Sequence, residues 1–532
     1  MPAYFKMEKA RAHAISILIF ISILLLLLFG GRAIILWQID QAITTRINDL
    51  KQTGIEIEFS KKKVKLWNKS LQFENVHIKF NPPHPLASST VSIPNILIAN
   101  ISLIPLIAKK EIIIRKIILT KPEAFIYYTT SDSTHPVAKK LPKFTIKIAD
   151  LKIDSLSAQF IDKVNSTVNG KVRLSLSIKN LDLFTTDSIN WTAGVVRLNN
   201  FDIELPTSFY QIKTKQLTFT STKKLLQLDS IELLPTLSNL EFARKNRYQI
   251  DRITARIPVL TVEGFDPGET FQPRFIASAV AFNFSLAVHH DKRFPMAKKK
   301  QMVLPPVFIR QFGFPLHVDT VKIGSSFISY DEFPEAGEKA GRIFFNDLKA
   351  TIANISSANL GETQMDVESR FMDAGNLTAT FTFPLALHTP YTVKGSLRDF
   401  SLSSINQMLT PLEHLSITQG NLKAMDFHFH YNEQKATGAL VLDYSNLRVS
   451  ILKKKNPNQV NVLASIVANA ILKNTMDKTI QEKKRTGTIQ FDRDPTEGIF
   501  GFWWKSLRDG IKSVYTVKKI TSRNHKKKVR GK

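Results

Sequence analysis

His428 and His430 alternate with Phe427 and Phe429 in the stretch MDFHFHY. On a strand that spacing puts both imidazoles on one face and both phenyls on the other. Two such imidazoles are the start of a metal site, but the surrounding sequence offers no third ligand at a matching spacing. A solvated polar face is the simpler reading. His289-His290 ends another alternating stretch beside a basic connector and has no companion motif. Asp492-Arg493-Asp494 opens like a calcium loop, yet Pro495 intrudes. The twelfth position is Trp503, where such a loop needs a bidentate carboxylate. The sequence has no G-x-S-x-G, no Walker A loop and no H-E-x-x-H. It has no cysteine, which excludes disulfides, thiolate metal sites and cysteine nucleophiles. The expectation is a non-enzymatic protein without a cofactor.

What remains is the chemistry of apolar side chains held in rows. Val172, Leu174 and Leu176 alternate with Arg173, Ser175 and Ser177. Phe282, Phe284 and Leu286 alternate with Asn283 and Ser285, and Leu377, Phe381 and Phe383 with Thr378, Thr380 and Thr382. With Phe427 and Phe429 these are the expected lining of an apolar sheet face. Phenylalanine numbers 36 against 5 Trp and 10 Tyr, so that surface has few polar handles and suits acyl chains. Two architectures use such strands. Two greasy faces can close on each other as a filled sandwich, or one sheet can curl and leave its lining open to a ligand.

The elements that would position these residues are mostly strands. Clean alternation with few intervening helices predicts antiparallel sheet. Turn signals such as Asn81-Pro82-Pro83 and Asp266-Pro267-Gly268 separate the runs. After Leu50, helical periodicity is confined to 403–415, interrupted by Pro411, to 459–472 and to 503–515. Polar or basic connectors fall at 129–143 and 291–306. A weak internal similarity links Ile146–Phe160 (IKIADLKIDSLSAQF) to Leu316–Tyr330 (LHVDTVKIGSSFISY). It reads as a repeated unit or as two amphipathic strands alike by chance.

One run differs from all others. Residues 14–31 (AISILIFISILLLLLFGG) carry no charge. Eighteen residues of helix span roughly 27 Å, close to the ~30 Å of a bilayer core. Ile15, Leu18, Phe20, Leu24, Leu26 and Leu28 form the expected anchor, with Trp37 at the interface. Lys6, Lys9 and Arg11 lie on its N-terminal side, which predicts a cytoplasmic N-terminus and a translocated body. The run is long for a cleaved signal, and Gly31-Arg32-Ala33 is a poor cleavage site. Apolar residues recur at helical spacing as far as Leu50.

The chain carries a net charge of +28, with 73 Lys and Arg against 45 Asp and Glu. Residues 505–532 hold eleven of those cations and one acid. Lys526, Lys527, Lys528 and Arg530 are therefore the expected contact with an anionic lipid surface, a solvated tail being the alternative. Nucleic acid is the weaker candidate for a body outside the cytoplasm.

The stretch Ile101–Tyr128 (ISLIPLIAKKEIIIRKIILTKPEAFIYY) follows SLQFENVHIKF (70–80). Together they resemble the opening of the AsmA-like family (the AsmA, TamB and YhdP type). FSLSSINQML at Phe400 and LSITQGNLKAMDFHFHYNEQKATGALVLDYSNLRVSIL at Leu415–Leu452 resemble that family's C-terminal module. The resemblance covers under a third of the chain and rests on apolar spacing. It implies a single-pass bacterial inner-membrane protein with its body in the periplasm. It implies an elongated, curled antiparallel β-sheet groove behind the N-terminal transmembrane helix, with a few short amphipathic helices. The implied partners are the inner membrane, phospholipid or another acyl lipid, and an outer-membrane or envelope-assembly protein. The implied role is phospholipid transport or outer-membrane lipid homeostasis; the alternative is a scaffold for outer-membrane proteins or envelope polysaccharide. The expected segments are 1–13 (cytoplasmic), 14–37 (transmembrane), 38–143 (N-terminal AsmA-like module with capping helix) and 144–311 (middle β segment). There follow 312–455 (C-terminal AsmA-like segment), 456–503 (amphipathic helix and final strand) and 504–532 (basic tail).

Overall fold

The computed structural model describes residues 41–515, less 42–43, 46, 66–67, 85, 103–110, 129–144, 186–188, 267–274, 297–301, 312–314, 358–360, 387–388, 454–455, 475–484 and 496–497. The expected anchor with Trp37, and the cluster Lys526–Lys528 with Arg530, lie outside the described residues. Among the described residues no helix is long and apolar enough to cross a membrane. The fold is mainly β and rich in antiparallel pairing. The chain forms two compact units, which meet in sequence at Thr207 and Ser208.

The first unit starts with β1 (Ile55–Glu58) and β2 (Lys61–Lys65), laid end to end along β3 (Ser70–Phe80). β3 pairs with β4 (Thr90–Ser102). β5 (Glu111–Thr120) and β6 (Glu123–Tyr128) again share one row, both antiparallel to β4 and both parallel to β7 (Thr145–Asp162). Antiparallel β8 (Val168–Thr185) and β9 (Ile189–Leu205) complete the unit.

The second unit begins with antiparallel β10 (Tyr210–Thr220), β11 (Leu225–Pro235) and β12 (Arg252–Glu263). Helix α1 (Asn239–Asn246) lies between β11 and β12 in sequence. It is started by a capping box in which Ser238 and Glu241 satisfy each other's backbone amides. β13 (Phe275–Phe282) and β14 (Ser285–Asp291) share one row, antiparallel to β12 and parallel to β15 (His317–Phe333). Helix α2 (Pro305–Arg310) precedes β15. An antiparallel meander follows: β16 (Gly341–Ser356), β17 (Glu362–Phe371), β18 (Gly375–Pro384), β19 (Tyr391–Ser401), β20 (Leu415–Tyr431) and β21 (Lys435–Lys453). Helix α3 (Asn406–Glu413) contains Pro411 and is correspondingly short. β21 then pairs with β22 (Asn456–Val460) at one end and β23 (Arg485–Asp492) at the other. Helices α4 (Val462–Asn474) and α5 (Ile499–Tyr515) flank β23 in sequence.

The similarity of 146–160 to 316–330 is the visible part of a larger correspondence. In both units a split row lies between an antiparallel and a parallel neighbour. The break falls at Lys121 (φ 46°) in one and at Asn283 (φ 56°) in the other. Lys121 N donates to Asp154 O at 2.8 Å, and Asn283 N to Gly324 O at 3.0 Å. Ser157 N donates to Pro122 O at 2.9 Å, and Phe327 N to Phe284 O at 2.8 Å. Opposite the break stands a proline in each unit, Pro94 and Pro258, whose missing N–H costs nothing where the row is interrupted. Further left-handed residues match one to one: Lys69 with Lys224, Asn75 with Ser230, Asn100 with Gly264, Ser155 with Ser325 and Asn180 with Asn354. Such residues shift the pairing and bend the strand, so both units are creased along equivalent lines.

Candidate functional site

Alternation and pairing put apolar residues in unbroken rows on one face of the first unit. Leu71, Ile98, Ile117, Leu151, Ile178 and Val196 are successive cross-strand partners. So are Phe73, Ile96, Leu119, Ile153, Leu176 and Leu198. Beyond the crease the row runs through Ile57, Ile78, Val91, Ala124, Ala158, Val172 and Ile203. Ile114, Ile148, Leu181 and Ala193 form its most buried part, and the described residues packed on them come from strands β4 to β9. The reverse face is polar. One of its rows reads Glu58, His77, Ser92, Glu123, Ser157, Arg173 and Asp202, with Arg173 Nη2 on Asp202 Oδ2 at 2.7 Å.

The second unit carries the same kind of face in two conditions. From β10 to β16 the row Phe219, Leu226, Val262, Ala279, Val321 and Ile352 belongs to no closed cluster among the described residues. From β17 onward the row continues through Met365, Phe381, Val393 and Phe429 into a closed core. Helix α5 makes the closure. Trp503 lies 4.5 Å from Phe381 between ring centroids, and Phe502 lies 5.7 Å from Tyr431. The helix also caps the sheet edge: Thr488 N donates to Ser513 Oγ at 2.7 Å and Gln490 N to Asp509 Oδ2 at 2.9 Å.

The eleven expected lining residues therefore fall into separate places. Val172, Leu174 and Leu176 stand half-buried on the face of the first unit that no other described element covers. Leu286 joins the apolar row Ile212, Leu233, Ala255, Leu286, Ile328 and Phe345 of the second. Phe381, Phe383, Phe427 and Phe429 are buried in the closed core, with Leu377 packed against it. Phe282 is on the opposite, polar face and is 59% exposed, its ring lying over Gly324. The left-handed turn at Asn283 breaks the alternation, so Phe282 and Leu286 belong to different strands. Phe284 sits in the break, half-buried. The residues missed by alternation within single strands are those of β3 to β7, whose apolar runs such as Ile112–Ile114 conceal the period of two.

Titratable groups form ion pairs more than sites. His428 and His430 lie 5.0 Å apart on the polar face, with His430 Nδ1 3.1 Å from Thr392 Oγ1. Among the described residues no three His, Asp or Glu side chains converge as a metal site. His290 Nδ1 is 2.8 Å from Asp251 Oδ1. Burial pushes the Asp291 carboxyl up, but two bonds from the Arg293 guanidinium, at 2.6 and 2.9 Å, outweigh it and hold the group below its ordinary range. His289 is 9% exposed with both ring nitrogens unpartnered, and burial lowers its pKa. A cleft of about 300 Å³ sets Lys292, Lys505 and Arg508 beside Glu332, Glu335 and Glu413. Its charges neutralise one another, with Lys292 on Glu332 at 2.5 Å and Arg508 on Glu413 at 2.8 Å.

Compared with known proteins, the chain matches no family model and has no significant match among curated proteins.

Proposed function

We propose that the uncovered apolar faces of the two units hold lipid acyl chains, and that the protein is an inner-membrane-anchored, periplasmic member of the AsmA-like type acting in phospholipid transport or lipid homeostasis. One observation carries the reading: rows of aliphatic side chains run across the first unit and across β10 to β16 of the second, with a polar reverse face and no covering layer among the described residues. Contiguous exposed apolar surface of this extent marks a ligand or interaction site. Ile148 and Leu181 are each only 6% exposed, and among the described residues their packing neighbours come from their own sheet. The left-handed creases give such a face a way to bend inward, which supports reading it as a groove. The chain of aliphatics lacks hydrogen-bonding groups, which fits hydrocarbon and leaves headgroups to water.

The test is a photoreactive residue at Ile153 or Ile323, against controls at Lys152 and Lys322 on the reverse face. These four positions are paired by the internal repeat. Lipid adducts at the two isoleucines and none at the lysines are expected. Equal labelling on both faces, or no adduct anywhere together with no lipid recovered by mass spectrometry, overturns the proposal.

A further inference from the structure

Helix α4 is turned inside out for a helix on a folded domain. Its inward side is small and polar. Asn469 Oδ1 accepts from Val449 N at 3.0 Å, and its Nδ2 donates to Val449 O at 2.7 Å. Ser465 Oγ accepts from Ile451 N at 2.8 Å. Ser465 and Asn469 thus satisfy the free edge of β21 in place of a neighbouring strand. Ala468 packs against the core beside them. The outward side is apolar: Val462 is 63%, Leu463 78% and Ile466 60% exposed, with Val460 of β22 at 43%. A surface helix ordinarily shows the reverse distribution.

We propose that this outward face of α4 seats in the headgroup–acyl boundary of an anionic lipid bilayer. The charge of its flanking sequence selects that occupant. The helix contains no acid and carries Lys473 in its last turn. Lys453, Lys454 and Lys455 precede it, and Lys478, Lys483, Lys484 and Arg485 follow, against Asp477 and Glu482. An apolar face with cationic flanks is the pattern of an in-plane interfacial helix. Thirteen residues are too few to span. The net positive flanking sequence argues against a second copy, which carries the same charge. The proposal does not depend on acyl chains entering the apolar sheet faces.

Because the chain has no cysteine, a fluorophore can be placed singly at Leu463→Cys, Ile466→Cys or, as a control, the exposed polar-face position Thr351→Cys. The full chain is held in zwitterionic nanodiscs and mixed with added vesicles carrying a spin-labelled lipid quencher. One vesicle set is phosphatidylcholine; the other also contains phosphatidylglycerol. Quenching and a blue shift at 463 and 466 with the anionic vesicles, and neither at 351, are expected. The double variant Leu463→Gln/Ile466→Gln should lose vesicle binding with its thermal midpoint unchanged. Absence of quenching at 463 and 466 overturns the proposal. So does equal quenching with phosphatidylcholine alone, or a blue shift already present before vesicles are added, which would assign the face to a second copy or another part of the chain.

Discussion

His289 shows how one side chain sets a pH dependence. It faces Arg252 on β12 and Asp331 on β15, with His290 and Asp291 next to it on β14. Burial lowers its folded-state pKa below the ordinary 6.5, and the Asp331 and Asp291 carboxylates oppose the shift only in part. The unfolded chain binds a proton near pH 6.5 while the folded chain does not. Its contribution to stability is therefore complete above that pH and is lost as pH falls toward the folded pKa. Stability of the second unit should decline between pH 7 and pH 5 by urea denaturation. His289→Leu should flatten that decline and, by removing two unpaired buried nitrogens, gain about 1 kcal/mol at pH 7. An unaltered acid slope in the variant would assign the decline to other groups. At this scale the sequence is legible where alternation is strict and misleading where one residue turns left-handed. The residues at those turns are Lys121, Ser155, Asn283 and Ser325. Only asparagine among them favours a positive φ strongly enough to be noticed, which is why Phe282 reads from sequence as a partner of Leu286.

Among the elements, α5 decides whether an apolar face is a core. Its position depends on a close approach: a Cβ on Gly487 would lie 2.1 Å from Gly510 O, and one on Gly510 would lie 2.7 Å from Leu440 and Ile489 side-chain atoms. Gly487→Val must push the helix off β23 and should cost about 1–3 kcal/mol by overpacking. The same variant should bind an apolar dye, because Phe381 and Tyr431 lose the cover of Trp503 and Phe502. Asp509→Ala removes the side-chain partner of the exposed Gln490 amide at the sheet edge and should cost about 0.5–1.5 kcal/mol, read as a lower urea midpoint with the fold retained. A dye-silent Gly487→Val of unchanged stability would contradict this docking. The helical period of 503–515 is plain in the sequence, and the structure starts the helix at Ile499. Its role as a lid is not, because the fit is made by two glycines on different elements. The same holds for α4: its period is legible at 459–472, but the side facing the protein is set by Ser465 and Asn469 meeting the edge of β21.

At the scale of the whole molecule, two units repeat one plan, and only the second encloses a large buried core among the described residues. The creases, the split rows and the opposed prolines recur in both, so each apolar face is bent by its own backbone. That arrangement separates two kinds of position that the amino-acid pattern alone treats as equal. Leu176 and Leu260 are half-buried on parts of the face that no other described element covers, whereas Phe429 is 1% exposed in the closed core. A carboxylate at Phe429 would be a buried, unpaired charge, and Phe429→Asp should cost more than about 4 kcal/mol and prevent cooperative folding. Leu176→Asp and Leu260→Asp place the charge where solvent reaches it and should cost about 1 kcal/mol. If the faces hold acyl chains, the same two variants should lose co-purifying lipid while melting close to the parent chain. Leu176→Asp unfolding as severely as Phe429→Asp would make the first unit a filled core and remove the groove. Leu176→Asp that folds and retains its lipid would leave the face uncovered but take the lipid elsewhere.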